Sequence, residues 1–356
     1  MRILYLVNEP TDGYQVGYRS AMEGLVKSGQ LESYCPFSFY VEEKKLGSWN
    51  KTLESLYDIV IEFQPHVLLV AHLGKYHVIP QAFVEKIKSL YDIPPVLAYD
   101  ERDVYGYVRK PLPESVLQFS KFCDVVFLVA AGSFANRFRN AGCRNVQFLP
   151  EAADTVQFGK PWTPDLERKF DVIMLANRHP SRIPFRSMPG IREREILARN
   201  LYDVFGKKFG LFGRGWENYL GNQGVVPFGE QENILRSSWL SVGQGHFPNY
   251  ENYFSDRLPI ALLSKVAHVC SAQPGLENLF SHGEHCMLFK TPDEAVSLCR
   301  LLLSWPKKEL IALGERGAEW VRNNYTETIR MEKLVNTLKS LYQQRLYLKE
   351  KGIKLR

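Results

Sequence analysis

What this 356-residue sequence lacks narrows it first. No apolar run approaches the roughly 18 to 20 residues that a membrane span needs. Met1-Arg2 leads straight into a short apolar stretch, with no long hydrophobic region and no small-residue cleavage site behind it. It reads as a first buried strand, and the expectation is a cytoplasmic protein. Cysteine is scarce, six in all, with no CxxC and no Cys–His pairing at zinc-finger spacing. Free thiols in a reducing compartment are expected, and Cys123, Cys270 and Cys299 sit inside apolar runs. There is no Asp-x-Asp, no HExxH, no repeat of 20 to 50 residues and no low-complexity tract. Charge of one sign is not concentrated either. The net charge of +6 is spread along the chain, which suits phosphorylated ligands or an anionic membrane surface better than nucleic acid.

What remains is a globular composition, 45% apolar and 24% charged, in a chain too long for one ordinary core. The 13% of aromatic residues serves sugar stacking and core filling equally well. Residues 2–7 form an apolar run of strand length, and a helical stretch over 17–27 ends at Ser28-Gly29. A helix over 53–63 stops at Pro65. HVLLVAHL, PPVLAYD, DVVFLVA and NVQFLP then read as strands alternating with three helices. Around Phe158 the pattern lapses in FGKPWTPDLERK, which marks a boundary between domains over 1–157 and 158–330. The alternation restarts at FDVIMLAN and continues to a long helix from Thr326. The predicted class is α/β, with two doubly wound, Rossmann-like parallel sheets facing across a cleft and ligands at the carboxyl ends of strands.

The stretch from His246 to Phe280 carries the sharpest chemical signal. It reads as a loop ending at Ser255-Asp256, a short helix, a strand over 267–271, and a Pro-Gly turn into another helix. Two helix N-termini near one strand end would make an anion site, and Arg257 adds a fixed charge in the first turn. Asp256 reads as a helix N-cap or a ligand contact. His246, among Gly243, Gly245 and Pro248, is a candidate sugar or phosphate contact.

In order along the chain, QPHVLLVAHLG, VQFLPEAADTVQFGK, FDVIMLAN, FGLFGRGW, and the section from Ser255 to Tyr325 with QPGLENLF, HGEH, PDEA and NNYTETIR resemble the GT-B glycosyltransferases. The likeness is greatest to the branch of the CgeB proteins and the group 1 glycosyl transferases. The resemblance implies transfer of a sugar from a nucleotide-diphosphate donor, held by the second domain, to an unidentified acceptor on the first. It implies no metal and no further cofactor, in line with the missing Asp-x-Asp, and a terminal helix over 331–356 that returns to the first domain. His72 would be the family's histidine at the end of a strand. Arg257 would hold the diphosphate, with Arg178 or Arg182 as helpers. The family's ribose-holding carboxylate is absent, since Ile260 stands in its place, and Glu277 or Glu251 would have to replace it. Gly275 belongs to the same matching section.

The remaining candidates have two readings each. Gly213 and Gly215 around Arg214 are a ligand-approaching loop or a plain turn. Gly13, in the loop after the first strand, resembles the family's glycine loop facing the donor phosphates, but a turn explains it too. Asp12 and Asp100 are the candidate general bases, and His72 is a base, a sugar-orienting group or a satisfied core histidine. His282 and His285 read as a surface turn, not a metal site. The basic end, LKEKGIKLR, is a solvated tail or a weak membrane contact. Two other classes compete with a transferase: a nucleotide-sugar-binding protein without activity, kept open by Ile260, and an enzyme glycosylating DNA, ranked last for want of a basic patch.

Overall fold

The computed structural model describes residues 1–164, 167–179 and 187–353, grouped in two units. The first comprises Met1–Val104, Leu112–Leu149 and Glu327–Arg356, the second Tyr105–Pro111 and Pro150–Thr326. No helix among the described residues is long and apolar enough to cross a membrane.

In the first unit the strands β1 (Arg2–Val7), β2 (Ser33–Ser38), β3 (Val67–Ala71), β4 (Val96–Glu101), β5 (Val125–Leu128) and β6 (Val146–Phe148) form one parallel sheet in the order β2-β1-β3-β4-β5-β6. Every residue of β3 and β4 is buried, because helices cover both faces; β3 reads as an unbroken apolar run, and β4 as one that ends in Asp100 and Glu101. Between the strands lie α1 (Val16–Lys27), α2 (Phe39–Leu46), α3 (Trp49–Phe63), α4 (Gln81–Lys88), α5 (Glu114–Ser120) and α6 (Gly132–Asn140). The pair β2 and α2 had no sequence expectation. SYCPFS contains a proline, and the structure tolerates it because β2 is an edge strand, with Pro36 opposite Tyr5 of β1.

One face of this sheet is closed by α1 and by the last helix, here α12 (Glu327–Glu350). Met331, Leu334, Val335 and Leu338 recur at helical spacing and are fully buried against Ile3, Tyr5, Val67 and Leu69. Three arginine ties hold the helix down. Arg330 forks onto both oxygens of Asp100 at 2.7 and 2.6 Å, with both side chains buried. Arg102 bonds Glu327 at 2.8 Å, and Arg345 reaches Asp124 at 2.6 Å and the carbonyl of Pro95 at 2.9 Å.

The second unit repeats the plan with β7 (Phe170–Leu175), β8 (Phe209–Phe212), β9 (Asn222–Gly224), β10 (Ser238–Gly243), β11 (Ala267–Ser271) and β12 (Met287–Phe289). All pairs are parallel in the order β12-β11-β10-β7-β8-β9. Its helices are α7 (Ile191–Phe205), α8 (Gln231–Arg236), α9 (Arg257–Leu263), α10 (Pro292–Leu303) and α11 (Lys307–Asn324). At the start of α10, Pro292 follows an N-cap Thr291 whose hydroxyl accepts from the Glu294 N–H at 3.2 Å. The helix expected after Pro274-Gly275 is only a 3-10 turn, Leu276–Asn278. Leu276 and Phe280 both turn into the core, and the chain then enters the turn around Gly283. All six cysteines are free.

Candidate functional site

In a doubly wound sheet, the loops leaving two adjacent strands diverge where the winding reverses, and a crevice opens at their carboxyl ends. In the second unit that point lies between β7 and β10. The segment after β7 supplies Asn177, Arg178 and His179, and the segment after β10 supplies Gln244 and His246. The rings of His179 and His246 lie 5.4 Å apart. Arg194 of α7 comes up beneath them, almost fully buried, donating to the carbonyls of Gln244 and Asn177 at 2.7 and 2.6 Å and meeting Nε2 of His246. The Nδ1 of His246 and the Oε1 of Gln273 are buried without a hydrogen-bond partner among the described residues.

The charge here has one sign. Burial, followed by Arg194, Arg257, His179 and Lys110, pushes His246 down to about 2. His179 is lowered by partial desolvation and then by Arg194, Arg257, Arg214 and Lys110. Arg194 itself is lowered, first by burial and next by Arg257. Among the described residues no carboxylate lies within ion-pair distance of Arg194, Arg214 or Arg257. Guanidinium groups gathered without counter-charge, over two neutral imidazoles, form a site that favours an anion with several oxygens.

The expected residues divide around this point. Arg257 opens α9, and Asp256 takes the N-cap position without a side-chain capping bond. Arg178 is tied to Glu195, with its Nε bonded to the carboxylate at 2.6 Å. Arg182 lies outside the described residues, as do residues 354–356 of the basic tail. Gly213 and Gly215 serve the neighbouring loop instead of a ligand. A Cβ on Gly213 would lie 2.2 Å from the Ala176 carbonyl oxygen, and one on Gly215 2.3 Å from that of Arg178. This fit lets Arg178 N–H bond the Arg214 carbonyl at 2.8 Å and Asn177 Oδ1 accept from Arg214 N–H at 3.0 Å. Gly275 likewise gives its side-chain space to Asn252. Ile260 is buried in the core, while Glu251 and Glu277 are exposed. His285 stacks on Trp320 at 4.3 Å, and His282 accepts from Leu288 N–H at 3.0 Å. No group of three or more His, Cys, Asp or Glu among the described residues could hold a metal ion. Arg194, His179 and Gln273 had no sequence signal, because each depends on a fold contact distant in the chain.

In the first unit the winding reverses between β1 and β3. Asn8, after β1, donates to the carbonyl of His72, after β3, at 2.6 Å. The loop with Gly13 is not open to a phosphate. Its backbone N–H groups at Gly13 and Gln15 donate to the fully buried carboxylate of Glu9 at 3.2 and 3.1 Å, and Arg19 and Ser38 close on the same group. An internal anion already fills that nest. Asp12 bonds Arg19 and Ser38; its carboxyl is lowered, chiefly by the Ser38 hydroxyl, which weakens it as a base. Asp100 is fully buried and commits both oxygens to Arg330, which removes it as a base. His72 faces a different carboxylate, Glu101, through Nδ1, with its ring partly exposed.

Comparison with known proteins gives this geometry a context. Residues 192–336 match a family model described as glycosyl transferase-like. No curated protein matches the chain. Among solved structures, the fold resembles HepE of Anabaena in complex with UDP and glucose, at 14% identity and TM-score 0.64, over 96% of this chain and 100% of that one. It also resembles sucrose-phosphate synthase from Thermosynechococcus elongatus, at 12% identity and TM-score 0.62, over 98% and 99%. An E. coli structure, described as trehalose-6-phosphate bound with UDP-2-fluoro glucose, aligns at 10% identity and TM-score 0.64, over 95% and 99%. At such identities the likeness establishes the fold, which is that of the GT-B glycosyltransferases, as the sequence motifs imply.

Proposed function

We propose that this chain is a glycosyltransferase that takes a sugar from a nucleotide-diphosphate sugar and passes it to an acceptor hydroxyl in the cytoplasm. The observation that carries the proposal is the switch point of the second unit, where Arg194, Arg214 and Arg257 have no carboxylate within ion-pair distance among the described residues. A departing diphosphate develops negative charge as the glycosidic bond breaks, and preorganised cations lower that barrier most in a dry site. Arg257 is the leading diphosphate ligand. Arg194 is walled in by carbonyls and supports the site from below. The Nδ1 of His246 and Oε1 of Gln273, buried without a partner among the described residues, are the groups for sugar hydroxyls. We assign the leaving group's charge to guanidinium groups and not to a metal. UDP is the first nucleotide to test, because HepE and the E. coli structure are described with UDP or a UDP-sugar.

Arg257→Ala is expected to weaken UDP, GDP or TDP binding by at least about tenfold, as loss of one charge-assisted contact implies. Calorimetry with an unaltered thermal unfolding profile is the check, and unchanged affinity for all three would remove Arg257 from the site. A second reading, binding without transfer, rests on Ile260, which is buried where the related enzymes are expected to hold the ribose with a carboxylate. Slow release of free UDP from a UDP-sugar would count against it.

A further inference from the structure

We infer that Glu9 is a specificity-determining residue: its carboxylate occupies the anion nest of the first unit, so that the crevice there admits an uncharged polyhydroxy compound and bars a phosphorylated one. The geometry stands by itself, and only the naming of that compound as the sugar acceptor rests on the transferase reading.

The nest belongs to the loop between β1 and α1, at the point where the winding of the first sheet reverses. Gly13 takes a φ of 78°, and the N–H groups of Gly13 and Gln15 converge on one carboxylate as they would on a phosphate. Other bonds hold the loop in this shape as well. The Tyr14 N–H donates to the Thr11 carbonyl at 3.1 Å, and the Gln15 side chain donates to the Asn8 carbonyl at 2.9 Å. The loop is built around an anion, and the chain supplies its own. Glu9 is fully buried, with Arg19 of α1 and Ser38 at the end of β2 closing on it.

The arginines of this edge are paired in the same way. Arg19 also meets Asp12, whose carboxyl is kept low chiefly by the Ser38 hydroxyl, so one guanidinium faces two carboxylates. Arg102, over the ring of Tyr18 at 4.2 Å, bonds Glu327 at 2.8 Å, and Arg330 forks onto Asp100. Lys75, after β3, meets no carboxylate among the described residues, but it is exposed, where a single ionic contact is weak. A phosphate entering here would have to expel a buried carboxylate from four donors and lie beside Asp12. A hydroxyl brings no charge and needs no such exchange.

The test follows the Gly13 and Gln15 amides of the full chain by NMR, which separates this loop from the arginines of the second unit. Inorganic phosphate and glycerol phosphate should leave both wild-type signals in place. In Glu9→Ala, which empties the nest, inorganic phosphate should shift them, binding at least about tenfold more tightly than in the wild type, as one charge-assisted contact implies. Glu9→Gln, which keeps the shape and removes the charge, should respond in the same direction but more weakly, and serves if Glu9→Ala does not fold. A saturable shift of the wild-type amides by either phosphate would overturn the inference. So would a folded Glu9→Ala that ignores phosphate as the wild type does. A wild type whose two amides ignore phosphate but which turns over no nucleotide sugar would leave the role of Glu9 intact and sink the transferase reading instead.

Discussion

Successive side chains of a strand leave opposite faces of its sheet, and in β4 that alternation divides two neighbouring carboxylates between unlike tasks. Tyr99 and Glu101 share one face and bond one another, while Asp100 goes to the other face and Arg330. A linear reading of the DERD cluster could find acidic residues at a strand end but could not say which would meet the histidine, since a shift of one residue reverses the answer. Glu9 was illegible for a similar reason: its four partners meet only when the loop folds back over it. Gly213 illustrates a residue whose sequence context was legible and whose purpose was not. With φ of 130° and the Ala176 oxygen so near, Gly213→Ala should lose roughly 1–3 kcal/mol. Differential scanning calorimetry should place its Tm several degrees below that of Gly229→Ala, where nothing lies within 4 Å of the added carbon.

Among the elements, most of those with apolar runs or helical spacing were legible, including β1, β3 to β8, β11 and β12, and α1, α3 to α7 and α10 to α12. Burial on both faces writes itself into composition. The edge strand β2 carries no such mark because only one side of it is paired. The 3-10 turn at Leu276–Asn278 was read as a helix because a Pro-Gly start resembles one, whereas packing of Leu276 and Phe280 ended it at once. Docking of α12 depends on a buried charge pair, whose partners cost more when separated than when both are absent. Arg330→Met and Asp100→Leu should each lose about 3–5 kcal/mol in denaturant unfolding. The double variant Arg330→Met/Asp100→Leu should recover most of that loss; additive losses would show that the pair does not act as a unit.

For the molecule as a whole, buried imidazoles set an acid limit. His268 is buried beside Ser241, bonded at 2.7 Å, and burial brings it down to about 4. Its folded value is below the ordinary 6.5, so the unfolded chain takes up a proton that the folded chain refuses. The stability it contributes is full above about pH 6.5 and is lost progressively as pH falls to about 4. His246, at about 2, acts in the same direction over a longer range. Unfolding free energy measured at pH 7, 5.5 and 4.5 should therefore decline, and His268→Gln should flatten the decline.

The helix α12 also imposes an order on synthesis. Unit one cannot close its core until Leu338 has been made, long after its strands. The second unit, complete at Thr326, has all its strands beforehand. At a synthesis rate of about 5–20 residues per second, the roughly 180 residues between Leu149 and Glu327 take on the order of 10 to 35 s. During that interval Ile3, Tyr5, Val67 and Leu69 are covered on this face by α1 alone, so the later-made unit is the first to be finished.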